Sequence, residues 1–140
     1  LKSIKMNFNW KVVGVLFFIT LNSFSQVDNP LIGNWFFLEG TSNGKRTFLN
    51  EVKRIKHYSR EGVFYVSNEI NLEKEITFGG KYRVFDASNF EEILFESMRG
   101  SYKYKIINDT LKFEGILLIP LENLDAKEVF LKEKWLKIDN

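Results

Sequence analysis

One histidine, no cysteine and eighteen carboxylates set the chemistry open to this chain of 140 residues. His57 has no second histidine with which to share a metal or complete a Ser-His-Asp triad, so it reads as a hydrogen-bonded or solvated strand residue beside Lys56 and Arg60. Without a thiol there is no cysteine nucleophile and no disulfide staple. Glu91 and Glu92 are adjacent, and consecutive strand residues point to opposite faces, so they cannot form an acid-base pair and both are expected to face solvent. Glu39 shares strand parity with Trp35, and Glu133 with Trp135. An inward carboxylate is unfavourable unless paired, and a paired one becomes a ligand handle. At a barrel rim it is simply hydrated, which is the preferred expectation. These residues indicate no enzyme, no metal site and no cofactor.

Rings are abundant instead. Phe64, Tyr65, Tyr82, Phe85, Tyr102, Tyr104 and Phe113 exceed what a small solid interior needs, and a small barrel either packs solid or holds one small molecule. Trp35 and Trp135 are first of all core residues. The candidate ligand-binding set is Trp35, Phe64, Tyr82, Tyr102, Tyr104 and Trp135, in which tyrosines would supply polar handles inside an apolar cup. Gly79-Gly80 lacks the other glycines and the following helix of a phosphate loop, so it marks a bulge or bend. The basic residues Lys53, Arg54, Lys56 and Arg60 are expected to solvate an outer face, with anionic lipid or glycan as the other possibility.

The elements that must position these residues begin after an address label. Lys2, Lys5 and Lys11 precede the apolar run Val12 to Ile19, and Ser23-Phe24-Ser25 supplies the small-residue pattern of a cleavage site, so residues 1–25 read as a secretory signal peptide and residues 26–140 as one domain. The run is about half the ~20 residues that a membrane span needs, so no stable span is expected once the signal is removed. Its loss leaves 17 basic and 18 acidic side chains, which disfavours nucleic acid as a partner. Export to a bacterial periplasm or the exterior is the expected location.

From Gly33 onward apolar residues recur at a spacing of two, which predicts an all-β domain. Strands are predicted at Asn34 to Glu39, Thr47 to Ser59, Val63 to Val66, Ile76 to Phe85, Phe90 to Glu96, Tyr102 to Ile107, Leu111 to Ile119 and Glu128 to Ile138. Turns are predicted at Gly40 to Gly44, Arg60 to Gly62, Asp86 to Asn89, Arg99-Gly100 and Asn108 to Thr110, with a surface loop over Asn68 to Glu73. Eight sequential antiparallel strands can close into an up-and-down barrel, which removes exposed edges; a two-sheet sandwich is the alternative.

Leu31-Ile32-Gly33-Asn34-Trp35, opening the first strand, resembles the Gly-x-Trp entry of lipocalin-like (calycin) domains. Gly80-Lys81-Tyr82, Tyr102 to Ile106, Asn108 to Leu111 and Glu133 to Ile138 follow in an order similar to the small exported lipocalin-like domains of unknown function found in Bacteroidota. The resemblance covers residues 29–138. It implies that Trp35 plugs the closed end of a barrel beside a basic side chain from the last strand, for which Lys137 is the available residue. It further implies a non-catalytic binder of a small hydrophobic ligand, although the second and third lipocalin motifs are absent. The contrasting expectation is a cell-envelope structural or interaction module, packed solid inside and binding a protein or glycan by its outer surface.

Overall fold

A computed structural model describes residues 29–49, 51–95, 97–123 and 125–139; the signal sequence lies outside them. Among the described residues nine strands form one antiparallel sheet: β1 (Gly33–Ser42), β2 (Lys45–Arg46), β3 (Lys53–Tyr58), β4 (Val63–Ile70), β5 (Glu73–Val84), β6 (Asn89–Leu94), β7 (Met98–Ile107), β8 (Thr110–Pro120) and β9 (Ala126–Ile138). β1 pairs with both β3 and β9, so eight strands close into a barrel in sequence order, with β2 a two-residue flap on the end of β1. There is no sandwich. No helix among the described residues is long and apolar enough to cross a membrane.

Period-two alternation carries the rings inward. Trp35 and Phe37 of β1, Tyr58 of β3, Phe64 of β4, Tyr82 of β5, Phe90 of β6, Tyr102 and Tyr104 of β7, Phe113 of β8 and Trp135 of β9 form one buried cluster. One end of the barrel is closed by that cluster and by the segment entering β1. Trp35 Nε1 donates to the Leu31 carbonyl at 2.8 Å, and Lys137 Nζ lies 5.5 Å from the Trp35 ring centre, the plug and basic neighbour that the resemblance implies. Asn29 Nδ2 donates to the Tyr82 hydroxyl at 2.8 Å, Tyr82 donates in turn to the Ser59 carbonyl, and the Tyr104 hydroxyl donates to the Asp86 carbonyl at 3.0 Å. These bonds tie the base to its loops.

Several boundaries depart from the sequence reading. The expected loop Asn68 to Glu73 is strand on both sides of a two-residue turn, Asn71-Leu72, with φ of 51° and 67°. A turn with both residues left-handed suits Asn and Gly, so an exposed leucine there hides the signal. Arg99 and Gly100 lie inside β7, and Phe95 and Ser97 are turn residues ahead of it. Lys53, rather than Thr47, opens β3, and Glu51 shortly before it has a φ of 61°, which a strand does not accommodate. The bulge of β5 falls between its pairings of Phe78 with Val66 and Ile76 with Ser67, leaving Thr77 as the extra residue rather than Gly79 or Gly80. The glycines serve close strand approach: a Cβ on Gly80 would sit 1.9 Å from the Ile93 carbonyl oxygen, and one on Gly115 equally close to that of Ser101.

Candidate functional site

A second bulge, between Phe37 and Glu39 in the β1–β9 pairing, decides which carboxylates enter the barrel. One extra residue inverts strand parity, so Glu39 leaves the side of Trp35 and faces outward, paired with Lys134 at 3.0 Å. Lys134 and Arg46 hold the Glu39 carboxyl below its ordinary range. β9 has no such break, and Glu133 stays on the inner side with Trp135, whose Nε1 donates to Glu133 Oε2 at 2.8 Å.

Two residues expected in solvent are inside. Lys56 and Glu92 are buried, with Lys56 Nζ 2.9 Å from Glu92 Oε1, and the Tyr58 hydroxyl donates to the same oxygen at 2.5 Å. Alternation explains both: Lys56 shares the face of Tyr58 two residues on, and Glu92 that of Phe90 and Leu94. The parity argument did separate Glu91 from Glu92, but it gave no reason to send Glu92 outward. An apolar residue on either side at a spacing of two was the available signal.

Rings enclose the ammonium. Lys56 Nζ lies 5.0 Å from the ring centre of Trp135, 5.1 Å from Phe113, 5.6 Å from Phe64 and 5.7 Å from Tyr58. Burying a charge so deeply is unfavourable without an ion partner and ring faces, and here it has both. Burial raises the Tyr58 hydroxyl well above its usual range, with the Glu92 charge adding to it, so Tyr58 remains a donor. Burial also raises the Glu133 carboxyl; Lys56 and the indole N–H oppose that, while the Glu92 charge adds to it.

Tyr102 is different. Its ring is buried against Phe90 and Phe113, and burial followed by the Glu92 and Glu133 charges raises its hydroxyl, keeping it protonated. Among the described residues no group accepts a hydrogen bond from that hydroxyl, yet no buried polar atom is left unpartnered, so the hydroxyl still touches accessible space. Above it, Arg54, Asn68, Phe78, Met98, Leu117 and Leu131 point inward by register yet remain half-exposed. A side chain that faces into a barrel and still meets solvent lines an opening.

The six candidate ring residues thus divide. Phe64, Tyr102 and Trp135 surround the lysine-glutamate pair, whereas Trp35, Tyr82 and Tyr104 belong to the closed base and spend their polar atoms on loop carbonyls. Lys56, Tyr58, Glu92, Phe113 and Glu133 complete the inner arrangement. His57 is outside it: the ring stacks on Tyr65 at 4.9 Å, with Nδ1 2.6 Å from Asn34 Oδ1. No cluster of three metal-ligating side chains occurs among the described residues. Of this inner arrangement the Tyr102 hydroxyl reaches accessible space, while the rings of Phe64, Phe113 and Trp135 are buried around the lysine-glutamate pair. Comparison of the chain with protein-family models, with curated proteins and with solved structures returns no match.

Proposed function

We propose that this barrel is an exported, lipocalin-like, non-catalytic binding domain, of the small type met in Bacteroidota, that takes a small and largely apolar molecule through the end opposite Trp35. The observation that carries the reading is the Tyr102 hydroxyl, a buried-ring donor without a protein acceptor among the described residues, at the floor of an aromatic cup. The ligand body would lie against the half-exposed Phe78, Met98, Leu117 and Leu131, above the buried rings of Phe64, Phe113 and Trp135, and its polar head would reach toward Tyr102 and Glu133. Glu92 is already engaged by Lys56 and Tyr58, which suits orientation rather than proton transfer. Native mass spectrometry of the protein taken from its own host, with tryptophan-quenching titrations using fatty acids, retinoids and bilins, tests this. Co-purifying mass and saturable quenching are expected; absence of both would overturn the reading.

The other reading is an envelope interaction module with a packed interior. Its support is the ring cluster filling the base together with exposed apolar residues on the outer wall, among them Phe85, Ile116 and Phe130. An empty interior in those assays, with a partner captured by the outer wall, is its expected outcome.

A further inference from the structure

The outer wall carries a charge pattern that the interior site does not explain. Cross-strand register places Lys105 of β7 opposite Lys112 of β8, and Lys112 opposite Lys134 of β9, so three lysines stand in a row across three strands. The next row runs Lys103, Glu114, Lys132. Like charges placed directly opposite are unfavourable, and the row Lys105, Lys112, Lys134 has two such steps. Lys134 is answered by Glu39 at 3.0 Å, but Lys103, Lys105, Lys112 and Lys132 make no ion pair among the described residues.

These side chains line an open groove of about 770 Å³ on the outside of β7, β8, β9 and β1, with Arg46 at its far end. Six cations there face only Glu39 and Glu114 among the outward acids, in a chain whose proposed mature part is almost neutral. The charge is therefore concentrated on one wall.

We infer that this groove binds a linear acidic polysaccharide, laid across the strands along Lys105, Lys112 and Lys134. Neighbouring strands are ~4.8 Å apart, a step close to the length of one pyranose ring, so a chain with one carboxylate or sulfate per sugar presents an anion at each lysine. Single-stranded nucleic acid calls for aromatic platforms among its cations, and neither lysine row presents an outward ring. A planar bilayer cannot follow a groove down to its floor, whereas a chain can. The inference stands on the outer wall alone and is independent of the interior ligand.

The test is calorimetric titration of the full chain with polygalacturonate at 50 and 200 mM salt, beside neutral dextran, single-stranded DNA and phosphatidylglycerol vesicles. Polygalacturonate should bind with an affinity that falls as salt rises, and Lys105→Gln/Lys112→Gln should weaken it by about tenfold or more. Lys53→Gln, on β3, should bind like the parent chain. Because the replaced lysines are exposed, the double variant should melt no lower than the parent. Failure to bind polygalacturonate, equal or tighter binding of DNA or vesicles, or a double variant that binds as well as the parent would overturn the inference.

Discussion

Lys56 and Glu92 illustrate how one side chain can matter through its partner. Removing the amine alone, as Lys56→Met, strands a buried carboxylate and should destabilise the fold by about 3–5 kcal/mol in urea unfolding. The double variant Lys56→Met/Glu92→Met should recover most of that loss, leaving about 1 kcal/mol for the Tyr58 hydroxyl that loses its acceptor. A loss in the double variant equal to the sum of the Lys56→Met and Glu92→Met losses would show that the pair is not coupled. Tyr58→Phe removes a bond to a charged oxygen and should cost about 1.5–3 kcal/mol, whereas Tyr102→Phe, with no protein acceptor to lose, should change stability little and weaken ligand binding instead. The pH dependence of Glu133 has a definite sign. Its folded pKa lies above the unfolded value, so the native state holds the proton more tightly, and stability falls as pH rises through that interval. Thermal melts of Glu133→Gln against the parent should therefore diverge in favour of the variant from about pH 4 toward pH 7. Glu39 and Asp86, with lowered pKa values, act oppositely: their contribution is present at neutral pH and is lost as pH falls.

Strands were legible wherever alternation ran unbroken. Tyr102, Tyr104 and Ile106 on β7, and Val129, Leu131 and Trp135 on β9, share the inner face that their spacing demanded. The bulges were not legible, because an inserted residue inverts parity without a distinctive residue type: Leu38 turns Glu39 outward, and Thr77 rather than Gly79-Gly80 breaks the register of β5. Turn chemistry misled at Leu72, which is 92% exposed in a left-handed conformation. Leu72→Gly should stabilise the β4–β5 hairpin by about 0.5–1 kcal/mol in urea unfolding, by relieving the Cβ strain of that conformation. Gly80→Ala and Gly115→Ala should each destabilise by more than about 2 kcal/mol, since the added carbon meets backbone that cannot swing away. Melting temperatures at or above the parent for these two would show that the strands are not held so close.

At the scale of the whole molecule, an eight-strand closure divides the interior into a sealed base and an upper part whose inward side chains are only partly buried, with the polar group of residues at the boundary between them. Barrel class could be read from the chain because it depends on strand count, whereas the plug role of Trp35 came from the resemblance of Gly33-Asn34-Trp35 to the lipocalin-like entry. The inward side of Glu92 was marked by its apolar neighbours at a spacing of two, but its pairing with Lys56 could not be read, since a contact between β3 and β6 residues across the barrel leaves no mark at any fixed sequence spacing. The most direct measurement uses two variants that each keep a single tryptophan, Trp35 or Trp135, with Trp10 and the other indole replaced by Phe. Both are titrated with doxyl-labelled stearate. Saturable quenching of Trp135, with Trp35 little affected behind its seal at the base, is the predicted result; equal quenching of both, preferential quenching of Trp35, or none at Trp135 would contradict a ligand seated beside Lys56 and Glu92.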